Sequence, residues 1–199
     1  MVNEVAAVLL LGLFGWKIAA LYIGSGLLLA IVTGFILGKL HLEHLLIMGD
    51  GKNIEKNDAA LPLGVRLKKA LRSTHRLIRS IFPYVLLGIG AGAFIHGYAP
   101  ANLLSRIAGK SNPFAVPIAV FIGVPLYSNA AGTVPIVRSL IEKGLPMGTA
   151  LAFMMSITAL SIPEMIILRR VMKLKLLVLY VGILTIGIIG TGYLFNAVL

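Results

Sequence analysis

The stretch VPLYSNAAGTVPIV, residues 124–137, places a polar cluster between two prolines in an otherwise apolar part of the chain. Its polar and helix-interrupting residues are Pro125, Tyr127, Ser128, Asn129, Gly132, Thr133 and Pro135. Proline removes a backbone donor and glycine permits turns that other residues avoid, so one regular helix is not expected here. How such an interruption is tolerated depends on what surrounds it.

The composition identifies the surroundings as a membrane. Of the 199 residues, 58% are hydrophobic and 13% are charged, and the mean hydropathy is +0.97. An ordinary globular domain has about 45–50% apolar and about 25% charged residues. Several apolar runs exceed the roughly 18 residues that indicate a membrane-spanning helix. We therefore predict an all-α integral membrane protein with a single membrane domain over residues 1–199.

Apolar runs also predict where the chain crosses the membrane. About four spanning helices are expected, over residues 18–40, 81–98, 147–168 and 174–197. The run from Val5 to Phe14 is too short to span, which predicts a re-entrant or interfacial helix before Trp16 and Lys17.

The positive charge is concentrated in segments between the apolar runs. The chain holds 18 Lys and Arg residues and a net charge of +11. Nine of the basic residues are Lys39, Lys52, Lys56, Arg66, Lys68, Lys69, Arg72, Arg76 and Arg79. Because basic loops face the cytoplasm, the 41–79 loop is predicted to be cytoplasmic. Within it, residues 65–80 have leucines at helical spacing opposite basic residues, which predicts an amphipathic helix on the inner membrane surface.

The same charge rule favours a hairpin over a single crossing for residues 114–143. A single crossing would leave the basic 169–175 loop outside, with eleven basic residues inside and seven outside. A hairpin that enters and leaves from the external side changes the count to thirteen against five. We therefore predict a Pro-bracketed re-entrant hairpin, with loops 41–79 and 169–175 in the cytoplasm of a multi-pass protein of the prokaryotic inner or plasma membrane.

Irregular backbone at membrane depth is tolerated where it is buried in protein or lines a water-filled cavity. The polar cluster of residues 124–137 is therefore predicted to line a solute pathway. The alternative is that its side chains only cap two half-helices.

The following span supplies further candidate residues. Ser156, Thr158 and Ser161 lie in its apolar run and would line the same pathway. A carboxylate inside a membrane is by default a functional group, so Glu164 is a candidate for proton or ion coupling. Because Glu164 lies about one and a half turns before Arg169, an interfacial ion pair is an equal alternative.

Catalytic and metal chemistry are not indicated. The chain has no cysteine, and no nucleophile is set beside a base, so an enzyme is not expected. Nor are a cofactor, a bound metal or a nucleic-acid partner. The methionines are read as packing residues, although thioether ligation is the alternative.

Residues 124–171, VPLYSNAAGTVPIVRSLIEKGLPMGTALAFMMSITALSIPEMIILRRV, resemble the YraQ-like predicted permeases, a family related to ArsP-type exporters of trivalent organoarsenicals. FGWKIAALYIGSG at 14–26 and GYLFN at 192–196 resemble the family as well. The resemblance is to the second half of full-length members and covers most of the chain except the 45–64 loop. It implies a membrane permease.

Two departures from the family matter. Members commonly have two related halves, so the resemblance implies that a homodimer or a separately encoded second half completes the pathway. The arsenical exporters have cysteines in or near the motif, whereas this chain has none, which excludes thiolate capture of arsenic. The substrate, a small molecule or an ion, stays open.

The leading interpretation is a secondary transporter that moves a small solute past the 124–137 segment. Ser128, Asn129 and Thr133 would contact the solute and Tyr127 would gate or stack. Two alternatives stay open: a channel-like pore, and a non-transporting structural or assembly subunit of a larger membrane complex.

Overall fold

The computed structural model describes residues 4–46, 62, 64–65, 67–75, 78–79, 82–83, 86, 112–126, 128–169 and 171–199. Within these ranges every regular element is a helix, apart from one isolated backbone bridge between Leu46 and Met172. The prediction of an all-α protein is confirmed.

The main helices follow in chain order. They are α1 (Glu4–Phe14), α2 (Trp16–Lys39), α3 (Ala115–Gly123), α4 (Ala130–Glu142), α5 (Met147–Ala159), α6 (Ile162–Leu168) and α7 (Leu174–Val198), with a 3-10 helix at Leu42–Leu45. Residues 67–75 are helical as well. Gly15 separates α1 from α2. Its φ of +84° is not a helical value, and glycine adopts this backbone conformation without the strain that other residues would have.

Three helical segments are long and apolar enough to cross a membrane: Trp16–Lys39, Met147–Leu168 and Leu174–Val198. They correspond to three of the four predicted spans. The remaining one, 81–98, lies almost entirely outside the described residues. The Met147–Leu168 segment consists of two helices, because the chain is interrupted at Leu160 and Ser161 between α5 and α6.

Helix α5 forms the centre of the fold. Eleven of its thirteen residues are buried, and it packs against α3, α4 and α7. Its contacts with α7 depend on glycine, since a side chain at Gly148 would collide with the backbone of Gly192 and Asn196. Helix–helix contact at backbone distance is the usual role of small residues in membrane bundles.

The contacts of α3 establish its direction relative to α5. Val116, near the start of α3, lies beside Gly192 at the level of Ala152, and Gly123, at its end, lies against Ser156. Helix α3 therefore runs parallel to α5, whereas α4 precedes α5 through a short loop and runs back along it. The two ends of the 112–146 segment lie at one end of the bundle, where Asn112 and Pro146 line the same cavity.

The opposite end of the bundle joins the end of α2 to the start of α7. Leu46 and Met172 form an antiparallel bridge, and the Lys173 N–H donates to the Leu45 carbonyl at 2.8 Å. The 169–175 segment thus lies beside the residues that follow α2. Helices α2 and α7 run antiparallel from this end, with Leu29 packed against Gly187.

The α5–α7 contact generates a stability prediction. Replacing Gly148 with alanine should lower the free energy of unfolding by about 1–3 kcal/mol, because the added methyl group meets backbone that cannot give way. Gly182→Ala is the matched control, since nothing in the described part of the chain lies within 4 Å of its new methyl group. Thermal unfolding in detergent measures both, and equal midpoints would contradict the contact.

Candidate functional site

Two interruptions of helix meet inside the bundle. Residues 124–129 connect α3 to α4, and residues 160–161 separate α5 from α6. The Ile162 N–H donates to the Val124 carbonyl at 2.9 Å. We call residues 124–129 together with 160–162 the junction. The junction joins the tip of the 112–146 segment, which is residues 124–129, to the break between α5 and α6 in the next span.

Asn129 explains why α4 begins where it does. Its Oδ1 accepts a hydrogen bond from the Gly132 N–H at 2.9 Å, which is an N-cap. Its carbonyl accepts from the Thr133 N–H at 3.0 Å, from Thr133 Oγ1 at 2.8 Å and from Ser128 Oγ at 3.2 Å. The described polar side chains of this motif therefore satisfy backbone groups, as the capping interpretation expects.

The prolines and Gly132 shape the same motif. Pro125 lies in the connection itself, whereas Pro135 lies inside α4, where it cannot donate to the carbonyl of the preceding turn. A methyl group at Gly132 would come within 2.6 Å of Ser128 Oγ. Tyr127 lies outside the described residues.

The candidate hydroxyls of the following span differ in their surroundings. Ser156 Oγ donates to the Phe153 carbonyl at 2.9 Å, and the Ser156 side chain packs directly against Gly123. Thr158 Oγ1 donates to the carbonyls of Met154 and Met155 in its own helix. In this structure Ser156 packs two helices together, and its role on a pathway stays a prediction.

Ser161 is the exception among these hydroxyls. It is 1% exposed and occupies the N-cap position of α6, yet its side chain makes no capping bond. Among the described residues, its Oγ and that of Thr33 are the buried side-chain oxygens without a partner. A buried hydroxyl without a hydrogen bond destabilises a fold, so such a group needs an explanation.

Tyr22 is a residue that sequence reasoning missed. It lies in α2, is fully buried, and its side chain is hydrogen-bonded to Thr158, three residues before Ser161. This contact links α2 to the last turn of α5. The available signal was a tyrosine within the apolar 14–26 stretch that carries part of the family resemblance.

Glu164 lies in the first turn of α6 and is half-buried. The predicted alternative partner, Arg169, instead donates from Nη1 to the Met172 carbonyl at 3.1 Å, and no salt bridge joins it to Glu164 within the described part of the chain. Tyr180 of α7 is near enough to interact electrostatically with the carboxylate. Within the described ranges, the His, Cys, Asp and Glu residues form no cluster that could hold a metal ion.

The far end of α7 holds the base of the 112–146 segment. Asn196 Oδ1 accepts from the Thr149 N–H at 3.2 Å, and its Nδ2 donates to Thr149 Oγ1 at 3.0 Å. Because Pro146 makes no side-chain cap for α5, Asn196 supplies one from another helix. The Tyr193 hydroxyl donates to the Pro113 carbonyl. These contacts assign structural roles to Tyr193 and Asn196 of the GYLFN stretch.

Cavities lie at this base. One of about 340 Å³ is lined by Asn112, Pro113, Ala115, Val116, Pro146, Thr149, Tyr193 and Asn196. A second of about 540 Å³ shares Pro146 and Asn196 with it. Neither lining contains a charged side chain, so both are suited to neutral molecules or water.

The structure therefore divides the sequence-predicted residues into groups. Pro125, Ser128 and Asn129 belong to the part of the junction between α3 and α4, and Ser161 belongs to the part between α5 and α6. Thr133 and Ser156 are buried behind it. Thr158 lies one turn before the break, Glu164 one turn after it, and Pro135 farther along α4.

Comparisons with known proteins agree with a membrane transport role. A family model described as "Predicted permease", of ArsP type, matches residues 1–197. The chain is 28% identical over 133 residues to UPF0718 protein MJ0584 of Methanocaldococcus jannaschii, which is 67% of this chain and 36% of that protein. It is 31% identical over 80 residues to UPF0718 protein YcgR of Bacillus subtilis, 40% of this chain and 27% of that protein.

The chain thus matches well under half the length of either curated relative. No solved structure matches it.

The contrast between two buried hydroxyls gives a prediction. Ser161→Ala should leave the free energy of unfolding unchanged or raise it by up to about 1 kcal/mol, because no hydrogen bond is lost. Thr133→Val should lower it by about 1 kcal/mol, because its bond to the Asn129 carbonyl is removed. Unfolding midpoints in detergent compare them, and a loss at Ser161 as large as that at Thr133 would reveal a partner for its hydroxyl.

Proposed function

The chain belongs to the ArsP-type family of predicted permeases, and from this premise we propose that it is a secondary transporter that moves a small solute across the cell membrane past the junction. The observation that carries the proposal is the hydrogen bond from the Ile162 N–H to the Val124 carbonyl. It joins two interruptions of helix within a bundle of membrane-spanning length. Discontinuous helices that meet near the middle of a membrane are where many transporters bind their solutes.

The dimensions support a re-entrant hairpin for residues 114–143. Helix α5 is about 20 Å long, and the Met147–Leu168 segment is about 33 Å long, close to the thickness of the hydrocarbon core. Because the Val124 carbonyl accepts from the Ile162 N–H, the tip reaches more than halfway along that segment. A hairpin of this depth enters the membrane and returns without crossing it.

The pairing of Leu46 with Met172 supports the proposed orientation. It joins the basic 169–175 segment to the end of α2, and the single-crossing alternative requires these two segments to lie on opposite sides. The base of the hairpin, with Lys143, lies at the other end of the bundle. We therefore propose that the 41–79 and 169–175 loops are cytoplasmic.

Separate roles follow for the residues around the junction. Ser161 has an unsatisfied hydroxyl, and Asn129 keeps an exposed amide nitrogen after its oxygen has capped α4, so both are proposed to contact solute. Ser128 is proposed to contact the solute as well, and Tyr127 to gate or stack, while the Thr133 hydroxyl donates to the Asn129 carbonyl. The neutral character of these groups suits an uncharged polar solute.

A homodimer is proposed to complete the pathway. The chain covers 36% of the length of its Methanocaldococcus jannaschii relative, and further surface is required if the whole unit transports. At Gly24 and Gly34 of α2, and at Gly182 and Gly190 of α7, no atom of the described residues lies within 4 Å of the methyl group that alanine would add. These helices therefore keep faces suited to close packing. Light scattering of the purified, detergent-solubilised chain should give the mass of a dimer, and a transporting monomer would overturn this part.

The orientation generates a labelling prediction. A membrane-impermeant maleimide should label Lys143→Cys only from outside the cell and Lys173→Cys only from inside, because these positions lie at opposite ends of the bundle. Lys39→Cys is the matched control and should share the side of Lys173→Cys. The absence of native cysteine makes each label unambiguous. Reversed sides for Lys143→Cys and Lys173→Cys would contradict the hairpin.

A second labelling experiment tests the solute site. Asn129→Cys should react with the impermeant maleimide from one side, and a transported solute should block that reaction without slowing Lys143→Cys. Adding Ser161→Ala should raise the solute concentration needed for protection by about tenfold, because losing one hydrogen bond weakens binding by about that factor. If Asn129→Cys reacts from neither side, the tip is packed in protein and the assembly-subunit alternative is favoured.

Coupling is tested with any solute that protects Asn129→Cys. In proteoliposomes, a proton gradient should drive accumulation of that solute, and Glu164→Gln should abolish accumulation while protection is retained. Flux that never saturates and ignores the gradient would favour the channel-like pore.

A further inference from the structure

The helix at residues 67–75, with the sequence LKKALRSTH, has an apolar face that nothing in the described structure covers. At about 100° per residue, Leu67 and Leu71 lie above one another, with Ala70 and Thr74 beside them. Leu67 is 60% exposed and Leu71 is 63% exposed. A soluble helix of this composition would normally bury both leucines.

The rest of the helix surface is basic. Lys68 and Arg72 are exposed and lie away from the leucine face. Acidic residues are absent from this part of the sequence, since no Asp or Glu occurs between Asp58 and Glu142. The helix therefore has two surfaces that need different partners. The leucine face needs an apolar partner, and the basic face needs an anionic one.

Other cations gather at the end of the bundle from which this part of the chain departs. The pairing of Leu46 with Met172 brings together Lys39, Arg169, Lys173 and Lys175, all of which are exposed. The surface beside these residues is therefore strongly positive. It favours an anionic partner that extends over tens of ångströms, as a lipid surface does.

We propose that the 67–75 helix lies in the headgroup region of an anionic lipid bilayer, with its leucine face towards the acyl chains and its cations on lipid phosphates. The long side chains of Lys68 and Arg72 can cover the edge of the apolar face while their charged ends reach the headgroups. An anionic bilayer supplies both partners, because its acyl chains are apolar and its headgroups carry negative charge. The contact requires only a membrane beside the chain, and not the solute pathway proposed above.

Two matched cysteine variants of the full chain test which face meets lipid. Leu71→Cys and Ser73→Cys differ by two residues, so their side chains point to nearly opposite sides of the helix. Neither changes a charge, and both positions are exposed. Each variant carries a polarity-sensitive fluorophore and is reconstituted into vesicles of phosphatidylcholine, with or without about one third phosphatidylglycerol.

Lipid-borne bromine should quench the fluorophore at Leu71→Cys at least about twofold more in the anionic vesicles than in the neutral ones. Salt at about 0.5 M should remove the difference, because it screens charge over a few ångströms. At Ser73→Cys, aqueous iodide should quench and bromolipid should not. Similar quenching at the two positions would overturn the proposal.

The remaining outcomes are equally decisive. A fluorophore at Leu71→Cys that is shielded from both quenchers would mean that protein covers the helix, which overturns lipid contact. Equal quenching in neutral and anionic vesicles would overturn the role of the cations.

A charge reversal separates a local effect from the net charge of the chain. Arg72→Glu should reduce lipid quenching at Leu71→Cys in anionic vesicles to the level of neutral vesicles. Lys17→Glu makes the same charge change at the start of α2 and should leave quenching unchanged. Equal effects of the two reversals would overturn a specific contact at this helix.

Discussion

Backbone amide and carbonyl groups inside a membrane have no water to bind, so each interruption of a helix must find partners within the protein. This requirement explains the hydrogen bond between the Ile162 N–H and the Val124 carbonyl, in which one interrupted helix supplies the donor and another the acceptor. An end of either helix would otherwise carry an unpaired backbone group. The two interruptions therefore depend on each other, and neither could be removed without exposing polar backbone.

The same requirement governs the ends of the 112–146 segment. Its tip is held by the junction, and its base by Asn196 and Tyr193 of α7, which bond to Thr149 and to the Pro113 carbonyl. Between these points α5 serves as the common packing surface, with Gly148 permitting α7 to approach at backbone distance. Helix α7 thus sets the position of the 112–146 segment at one end, while α5 and α6 set it at the other.

Much of the fold followed from apolar run length and proline placement. The short α1, the spans at α2 and α7 and the start of α4 near Asn129 all have local signals. The break at Leu160 and Ser161 was missed because the apolar run continues through it, although Pro163 at the second position of α6 is typical of a helix start. The roles of Tyr22 and Asn196 could not be predicted, since each depends on a partner more than forty residues away in the chain. Pairing at that separation is a property of the fold and not of the local sequence.

Hydrogen-bond satisfaction gives a way to separate structural from functional polar residues at the junction. Thr133, Thr158 and Ser156 each bond to a carbonyl in their own part of the chain, and their hydroxyls are therefore accounted for by stability alone. Ser161 is equally buried, but its hydroxyl makes no hydrogen bond to the described residues. For stability alone, alanine would therefore be the better residue at this position. A hydroxyl at such a position is explained if another molecule completes the bond, which is the physical reason for regarding Ser161, more than the larger polar motif, as the centre of the proposed site.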